Sequence, residues 1–539
     1  KRKKFGLVWE DKLEDAVESC KKEYPVLAEV KNLEIISSNK NPMNLIIEGD
    51  NYHSLTALNY TFEGKVDVIY IDPPYNTGAK DWKYNNHYID ENDRWRHSKW
   101  ISMMESRLKL AKKLMSQKGF IICAIDHHEL FSIGHLMDEV FGEKNRLGIV
   151  SVVHKPEGRN QEKFFGTSNE FMLVYCRNWE QASFRQVTLT EEQKSKFDNE
   201  DEKGLYKLKN FIRLTDGKYA LRKNKPGHYY PIYISPDLTE FSLTKKKGFK
   251  EVLPITEKGA ERTWKTKGDT FITRVKNGDI EVRLEGEKIT IYEKLREDEV
   301  YRTHWVRKEY HGFHYGTKLL TQILGKKGFD FPKSLHLVED ILKITARKNS
   351  VVLDFFAGSG TTGHAVMQLN KEDGGSRKFI LCTNNENGIA TDVCYPRIKN
   401  VIKGYTNKNS NKVKGLGGNL KYYKTAFVPA GDTDQHKTVL KEKITEMICI
   451  KEDSFKKIKS TKKYKIFKGN SKHVAIIYDL LSIDAMKKEI TKIKTDFSVY
   501  IFSLGDDLFE DEFEGMENRI EVIPIPGPIL KTYENIFKG

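Results

Sequence analysis

The feature that most constrains the fold is a series of short, β-prone apolar runs, each followed by acidic or polar residues. Such runs occupy Leu45–Ile47, Val66–Ile71 and Phe120–Ile125. Between the last two, Trp100–Met115 carries apolar residues at the spacing of one helix face. Because the runs are apolar throughout, both faces of their sheet should be covered. The pattern predicts an α/β fold with a mainly parallel sheet.

Length and charge narrow the interpretation. A chain of 539 residues is too long for one ordinary domain. Its 91 Lys and Arg against 76 Asp and Glu give a net charge of +15, which favours a polyanionic partner, although a large solvated surface can carry the same excess. No apolar run is long enough to span a membrane, and the six scattered cysteines include no CxxC pair. We therefore expect a cytoplasmic protein with reduced cysteines and no metal site.

The alternating pattern is interrupted by a stretch rich in Lys, Arg, Tyr and Phe, which predicts an inserted domain. An N-terminal segment at 1–43 is expected to be helical around Lys12–Val30. The other predicted segments are a first catalytic part, the insert, a second catalytic part and a C-terminal α/β domain, at 44–180, 181–309, 310–406 and 407–539. Asn407–Asn419, rich in Lys, Asn and Gly, is predicted to be a linker.

The first chemical motif is Asp72-Pro73-Pro74-Tyr75, directly after the run Val66–Ile71. Ligands of open α/β sheets bind at the carboxyl ends of strands. The prolines stop the strand and lack N–H groups, so local carbonyls stay free to accept hydrogen bonds. A carboxylate and a carbonyl can accept from a planar amine while the tyrosine ring stacks on its face. The motif predicts a site for such an amine; the alternative is a turn with an ordinary surface aspartate.

The second motif is a Gly-rich turn over Asp354–Ala365, which leads from a predicted strand into a helix. Its glycines fit GxGxxG, which would suggest a dinucleotide. They also fit P-loop spacing, but His364 and Ala365 stand where Lys and Ser or Thr are required, so an ATPase is excluded. The third interpretation is a loop for an adenosyl ligand with an amino-acid tail, in which Asp354 pairs with the ammonium group. The presence of the first motif favours this third interpretation.

Together, the two motifs resemble those of the amino-methylating DNA methyltransferases that use S-adenosylmethionine (AdoMet). Phe356–Gly360 matches the FxGxG motif of that family, and the order DPPY, insert, FxGxG is the permuted order of its β class. Tyr70–Gly78, Arg96–Trp100 and Thr383–Glu386 are similar to Mod subunits of type III restriction–modification systems. The resemblance implies a circularly permuted, Rossmann-like methyltransferase fold with an inserted target-recognition domain.

The resemblance also implies which residues would act on the substrate. Asp72 and the Pro73 carbonyl would accept hydrogen bonds from an adenine amino group. Pro74 completes the motif, and Tyr75 would stack on the flipped base. Asp in the first position of the motif, rather than Ser, makes adenine N6 the expected target and cytosine N4 the alternative.

Cofactor contacts are implied at several predicted strand ends. The expected AdoMet-binding residues are Asp50, Lys333, Asp354, Phe356, Ala357, Gly358, Gly360, Thr361, Thr362, Asn384 and Glu386. Within this set, Glu386 and Asn384 are alternatives for the ribose hydroxyls. Asp50 would contact the cofactor adenine or simply cap a helix, and Lys333 would lie along the methionine part or be a surface charge. His127 and His128 could suggest a metal site, but this methyl transfer needs no metal.

The insert and the segment before it are expected to contact double-stranded DNA. The candidate DNA-binding residues are Lys155, Arg159, Arg213, Arg222, Arg262 and Trp264. We further expect a homodimer and a helicase–nuclease restriction subunit as partner, with the C-terminal domain serving dimerisation or docking. An orphan methyltransferase, an RNA or protein-glutamine methyltransferase, an inactive DNA-recognition subunit and an NAD-dependent oxidoreductase remain as alternatives.

Overall fold

The computed structural model describes residues 9–38, 41–158, 163–185, 197–214, 217, 220–286, 288–296, 301–407, 410–505 and 507–537. The chain divides into two compact units. The large unit comprises Lys1–Arg185 and Arg302–Gly539, and the inserted unit comprises Gln186–Tyr301. The insert therefore appears where the sequence pattern is interrupted, with slightly narrower bounds than the predicted 181–309. Arg159, one of the predicted DNA contacts, lies outside the described residues.

The strands of the described residues fall into two stretches of chain. The first contains β1 (Glu23–Glu29), β2 (Met43–Glu48), β3 (Val66–Ile71), β4 (Ala79–Tyr84), β5 (His87–Asp90), β6 (Met115–Ile125), β7 (Arg146–Val153), β8 (Asn169–Cys176), β9 (Asn199–Asp201), β10 (Gly204–Asn210), β11 (Ile232–Ile234), β12 (Phe241–Ser242), β13 (Lys250–Val252), β14 (Ile280–Glu285) and β15 (Lys288–Arg296). The second contains β16 (His304–Trp305), β17 (Val351–Asp354), β18 (Lys378–Thr383), β19 (Gly404–Thr406), β20 (Lys412–Lys414), β21 (Asn419–Pro429), β22 (Lys456–Ser460), β23 (Tyr464–Lys468), β24 (His473–Ile477), β25 (Phe497–Phe502) and β26 (Ile520–Ile525).

The α-helices of the same residues connect and cover these strands. They are α1 (Asp15–Ser19), α2 (Asn51–Phe62), α3 (Arg96–Leu114), α4 (Leu130–Phe141), α5 (Gly268–Lys276), α6 (Lys318–Leu324), α7 (Leu335–Thr345), α8 (Thr361–Asp373), α9 (Tyr395–Lys403), α10 (Asp434–Lys443), α11 (Thr445–Lys451), α12 (Ile483–Thr491) and α13 (Gly527–Phe537). None of them is both long enough and apolar enough to cross a membrane.

A ten-stranded sheet forms the centre of the large unit, in the order β1-β21-β2-β18-β17-β3-β6-β8-β7-β16. Six of its neighbouring pairs are parallel, and the pairs β1–β21, β6–β8 and β7–β8 are antiparallel. Along β3, Ile69 and Ile71 pack in one hydrophobic cluster, whereas Val68 and Tyr70 pack in another. Both faces of the sheet are therefore covered, which explains the unbroken apolar run and confirms the predicted α/β class.

The parallel strands at the centre bring the two predicted motifs to one edge of the sheet. β17 pairs with β3 through Leu353 and Ile69, so that both strands end on the same side. β18 and β2 continue this edge, with Thr383 paired with Glu48. The residues that follow these four strands therefore lie along one line of strand ends, where open α/β sheets bind ligands.

The predicted N-terminal helix is wrong over most of its length. α1 covers only Asp15–Ser19, and Glu23–Glu29 forms strand β1 instead. Pro25 has no N–H group and would clash in a helix interior, whereas it is tolerated in an edge strand. β1 is such an edge strand, because it pairs only with β21 in the ten-stranded sheet.

The boundary predicted at residue 407 also differs from the structure. β21 (Asn419–Pro429) lies between β1 and β2 in the central sheet, so the predicted linker leads into a strand of the catalytic sheet. Beyond it, a five-stranded sheet has the order β22-β23-β24-β25-β26. This sheet belongs to the large unit rather than to a separate one. Local composition could not reveal β21, because its partners are distant in sequence.

The inserted unit has a small core of its own. It contains a four-stranded antiparallel sheet, β14-β15-β10-β9, and a three-stranded sheet, β12-β11-β13. Phe211, Trp264 and Phe271 are among its buried residues and pack in a single hydrophobic cluster. The unit is therefore a folded module rather than an extended loop.

Candidate functional site

The Asp72–Tyr75 motif forms a turn that long-range contacts hold in place. It follows β3 directly, and the indole N–H of the buried Trp100 donates a 2.7 Å hydrogen bond to the Pro74 carbonyl. The next residue, Asn76, is fully buried with φ at +56°. Its amide oxygen accepts a 2.9 Å hydrogen bond from the Trp82 indole. Trp100 therefore holds the backbone of the motif, and Trp82 holds the side chain of the residue that follows it.

A buried charge cluster surrounds the motif. The ammonium group of Lys333 lies 3.1 Å from Asp72 Oδ1 and 2.8 Å from Glu170 Oε2, and it also contacts the Tyr75 hydroxyl. The Tyr75 hydroxyl in turn donates a 3.0 Å hydrogen bond to Glu170. Lys333 is therefore part of the first motif's site, beside Tyr75, rather than a surface charge.

The pKa values of the two carboxyl groups in this cluster shift in opposite directions. Burial raises the pKa of Asp72, and the positive charge of Lys333 counteracts that rise. Burial alone would also raise the pKa of Glu170, but Lys333 outweighs it and the pKa is lowered. Asp72 Oδ1 is buried and has no hydrogen-bond partner with good geometry among the described residues. A carboxylate has several acceptor positions, so Asp72 can accept the N–H of a substrate amine in addition to its ion pair with Lys333.

Sequence reasoning missed Glu170 entirely. It lies in β8, which is antiparallel to β6 and two strands away from β3 in the sheet. Its side chain is buried, with 4% exposure. In the sequence it is a single acidic residue at the start of an apolar run, and only its contacts with Tyr75 and Lys333 reveal its importance. No local signal distinguishes it from an ordinary strand-end acid.

The second motif is held together by hydrogen bonds to the Asp354 carboxylate. The Asp354 carboxylate accepts a 3.0 Å hydrogen bond from the Phe356 N–H and a 2.5 Å hydrogen bond from the Thr362 hydroxyl. Burial raises the pKa of Asp354 to about 7. Because the charged form is costly in this environment, a cationic ligand group would stabilise it. The contacts of Thr362, which is 1% exposed, indicate that it acts through Asp354.

The glycines of this loop adopt backbone conformations that favour glycine. Gly358 and Gly360 have φ of +48° and +78°. A Cβ on Gly358 would lie 3.2 Å from the Phe329 ring, and one on Gly360 would lie 3.1 Å from Cys394 Sγ. Gly360 precedes α8 without a side-chain cap, so helix N–H groups are available to a ligand carboxylate. Phe356, Ala357 and Thr361 belong to the same turn.

Below the loop lies a buried arginine that was not predicted to have a role. The guanidinium of Arg397 donates hydrogen bonds of 3.0 Å to Ser359 Oγ and 2.8 Å to Thr361 Oγ1. Burial lowers the pKa of Arg397 to about 10. This side chain stabilises the loop conformation from beneath.

At the end of β2, Asp50 caps a helix and also stays partly exposed on the ligand edge of the sheet. Its carboxylate accepts a 2.7 Å hydrogen bond from the Tyr52 N–H and so caps α2. It also lies 3.3 Å from the guanidinium of Arg107, which is held by Glu14 at 2.7 Å. With 38% of its side chain exposed, Asp50 still faces the ligand edge of the sheet.

Glu386 and Asn384 follow β18 on the same edge. Glu386 Oε1 pairs with Lys83 at 2.6 Å and accepts a 3.1 Å hydrogen bond from the Tyr88 hydroxyl. Both partners belong to the hairpin β4–β5, which follows the first motif in the chain. The Asn384 side chain instead accepts a long bond from the Glu386 N–H, at 3.4 Å. Of these two candidates, Glu386 therefore connects the end of β18 with the hairpin that follows the first motif, whereas the Asn384 contact is local.

The AdoMet molecule that the sequence analysis implied fits this edge chemically. Its sulfonium and ammonium groups are cationic, and four carboxylates, of Asp50, Asp72, Asp354 and Glu386, lie along the ends of β2, β3, β17 and β18. Its carboxylate would match the uncapped N-terminus of α8.

A further group of possible metal ligands lies at the end of β6. One ligand atom each of Asp126, His127 and His128 lies within 4.8 Å of the others. The Asp126 carboxylate, however, accepts from the His128 N–H at 2.9 Å and contacts the His128 ring at 2.7 Å. These contacts describe a local turn that Asp126 stabilises.

The predicted DNA contacts have different surroundings in the inserted unit. Arg222 is exposed and pairs with Glu261 at 2.7 Å, with its guanidinium over the Tyr229 ring. Arg213 donates a 2.9 Å hydrogen bond to the Lys265 carbonyl, and the backbone N–H of Arg262 donates to the Pro254 carbonyl. In the large unit, Lys155 is partly buried and its N–H donates to the Ser168 carbonyl.

The prediction for Trp264 is wrong. This side chain is 1% exposed and packs against Phe211 in the core of the inserted unit. Its indole N–H donates a 2.8 Å hydrogen bond to the Tyr230 carbonyl. A tryptophan between Lys and Arg residues looks like a nucleic-acid contact in sequence, but a small domain needs large apolar side chains for its core.

A family model and individual known proteins both match this chain. A family model described as DNA methylase matches residues 66–392. The chain is 32% identical over 407 residues to the type II methyltransferase M.KpnI of Klebsiella pneumoniae, covering 74% of this chain and 94% of that protein. It is 31% identical over 442 residues to the Mod subunit of the type III restriction-modification enzyme EcoPI of Escherichia phage P1, covering 72% and 67%.

The solved structures that match this chain do so with low TM-scores. A complex of M1.HpyAVI with SAM matches 66% of this chain and 98% of that chain, at 14% identity and a TM-score of 0.31. The PvuII DNA methyltransferase, described as cytosine-N4-specific, matches 66% and 87%, at 10% identity and a TM-score of 0.36.

Proposed function

Because this chain belongs to the DNA methylase family, we propose that it transfers the methyl group of AdoMet to adenine N6 at specific sites in double-stranded DNA. The observation that carries the proposal is the buried acceptor at Asp72. Its carboxylate is paired with the Lys333 ammonium at 3.1 Å and keeps further acceptor positions, and Tyr75 lies beside it. An exocyclic amine with a flat ring is the group that satisfies both.

The chemistry of the site follows from its charges. Bound AdoMet supplies an electrophilic methyl group on a sulfonium centre. Asp72 would accept an N–H of the amine. This hydrogen bond would favour the geometry in which the lone pair of the amine nitrogen is no longer conjugated with the base ring. Asp72 would then stabilise the positive charge that develops on nitrogen, which is electrostatic rather than covalent catalysis. Tyr75 would stack on the extruded base, because a base within a duplex has to leave the stack before it can react.

Lys333 and Glu170 act as positioning residues in this proposal. Lys333 supplies the positive charge that favours the ionised form of Asp72 in a partly buried site. Glu170 fixes both the Lys333 ammonium and the Tyr75 hydroxyl, through contacts of 2.8 and 3.0 Å. With both carboxyl groups ionised, the three groups would carry a net charge of −1, which would complement the cationic reacting centre.

The inserted unit is proposed to recognise the target sequence. Exposed cations such as Arg222 suit phosphate contacts, which position a protein on a duplex, whereas base readers cannot be assigned from charge. By analogy with the Mod subunit of EcoPI, we propose that the chain is the modification subunit of a type III-like system. In this proposal it forms a homodimer and works with a separate helicase–nuclease subunit. A methyltransferase without such a partner is the alternative.

The first test is methylation of DNA by the purified full chain. The protein would be incubated with labelled AdoMet and unmodified genomic DNA, and modified bases would be mapped by single-molecule sequencing. N6-methyladenine at one recurring motif is the expected result. Methylcytosine would transfer the proposal to N4 of cytosine, and label on RNA or protein would contradict a DNA substrate.

A further inference from the structure

The segment that carries Lys333 presents an exposed phenylalanine beside the catalytic motif. Phe331 is 89% exposed, and its φ is +56°. Bulky residues rarely adopt this left-handed conformation, and a residue before proline, here Pro332, is further disfavoured outside extended conformations. Packing of the ring does not offset this backbone strain, because the ring is exposed to solvent. Strain retained without packing is typical of a functional position.

The residues on either side of Phe331 are firmly held. The Phe329 ring packs against Gly358 of the cofactor loop, where a Cβ would lie 3.2 Å from it. The Pro332 carbonyl packs so closely on Gly316 that a Cβ there would lie 2.1 Å from the oxygen. Lys333 reaches Asp72. Phe331 is thus an exposed ring on a rigid bridge between the two motifs.

Two further exposed aromatic rings lie in the segment that leads to Glu170. Phe164 and Phe165 are 83% and 91% exposed, and the Lys163 ammonium lies 5.4 Å from the Phe164 ring centroid. Phe165 is only five residues from Glu170, a distance of at most about 18 Å even for an extended chain. The 2.8 Å contact between Glu170 and Lys333 joins the two segments. We call Phe164, Phe165 and Phe331 the aromatic rim.

We propose that the aromatic rim inserts into the DNA base stack at the position vacated by the target base, with Phe331 as the principal wedge. This inference rests on the proposed function. Apolar side chains commonly fill or open base steps in distorted DNA. Aromatic rings interleaved with lysines suit nucleic acid, because they supply both stacking and phosphate neutralisation. Extruding a base costs stacking energy, and a ring that takes its place recovers part of it.

The test compares two duplexes that differ only at the target base. Both carry the recognition motif mapped on genomic DNA, one with the target adenine paired and one with it mispaired and already weakly stacked. Phe331→Ala should slow single-turnover methylation of the paired duplex on the order of tenfold, the range of one lost stacking contact. The mispaired duplex should restore the rate to within about twofold of the wild type.

Three further variants and one binding measurement isolate the effect. Phe331→Trp should keep the wild-type rate, because its ring also stacks. Leu481→Ala, which alters a residue of 91% exposure in the C-terminal region, should change neither rate. The double variant Phe164→Ala/Phe165→Ala should show the same dependence on pairing as Phe331→Ala. The affinity for AdoMet, measured by calorimetry, should be unchanged in all variants.

Equal losses on both duplexes, or weakened AdoMet binding by Phe331→Ala, would overturn the inference and assign the ring to the reaction pocket. An unchanged rate on the paired duplex would overturn it as well. A wild-type protein that methylates neither duplex would instead overturn the proposed function, and the role of the rim with it.

Discussion

Two aspartates end neighbouring strands of the central sheet, and their surroundings differ. Asp354 is satisfied locally, by the N–H of a residue two positions on and the hydroxyl of a residue eight positions on. Asp72 depends on distant groups: Lys333, which contacts Tyr75 across 258 residues of chain, and Glu170. Its Oδ1 lies 3.1 Å from the Lys333 ammonium. A carboxylate that is hydrogen-bonded within its own loop shapes that loop, whereas one held by a distant cation keeps acceptor positions for a substrate.

The largest expected effect comes from removing the Asp72 carboxylate. Asp72→Asn should lower single-turnover methylation by about 10³-fold, the typical loss for an electrostatic group that acts on the transition state. AdoMet affinity should stay within about twofold, because the cofactor loop is organised by Asp354. Rapid-quench kinetics and calorimetry would measure the two quantities. A variant with wild-type activity would remove Asp72 from the mechanism.

Removing the distant cation should have the next largest effect. Burial raises the pKa of Asp72 and Lys333 counteracts this, so Lys333→Met should raise that pKa further. Activity requires ionised Asp72, so the acidic limb of the pH–rate profile should move to higher pH. At neutral pH, the accompanying loss of positioning should lower the rate on the order of 10²-fold.

The control for this experiment is Lys333→Arg. It keeps the positive charge, so the acidic limb of the pH–rate profile should stay at the wild-type position. Glu170→Gln is the complementary variant: it leaves Lys333 in place but removes one of its anchors, so it should lower the rate without moving the limb upward. A uniform loss at all pH values in Lys333→Met would contradict the electrostatic role and leave a purely structural one.

The same comparison explains what could be predicted from the sequence. Asp354, its glycines and the DPPY turn are local patterns, and strand-end chemistry placed them on one edge correctly. Glu170 and β21 were missed, because their roles depend on partners far away in sequence. Trp264 was misassigned because composition indicates which residues are present but not which face they occupy. Local signals thus predicted the motifs and their chemistry, but not the contacts that tune them.

A third prediction concerns Asp354, whose pKa of about 7 lies well above the ordinary range. The folded protein binds this proton more tightly than the unfolded chain, so ionisation as pH rises through 7 costs stability. A cationic ligand offsets that cost, so AdoMet should bind more tightly at pH 8 than at pH 6. Asp354→Asn should abolish this pH dependence and weaken binding about tenfold at pH 8. Calorimetry at the two pH values measures both.

The smallest effect is expected from the local partner of Asp354. Thr362→Val keeps the shape of the side chain and removes the hydroxyl that donates at 2.5 Å. Loss of one hydrogen bond to a carboxylate should weaken AdoMet binding by about three- to tenfold, with no change in the pH profile of the methyl-transfer step. A change in that profile would mean that the two aspartates do not act separately.

The position of β21 has a consequence for how this protein can be shortened or recombined. A truncation placed at the Lys-, Asn- and Gly-rich stretch before Asn419 would remove an interior strand, leaving β1 unattached and the edge of β2 exposed to aggregation. Glu48, next to the cofactor edge, would also lose its contacts with Tyr422 and Lys424. Fragments cut there should regain activity only when both are present, so the C-terminal region is exchangeable only together with its strand.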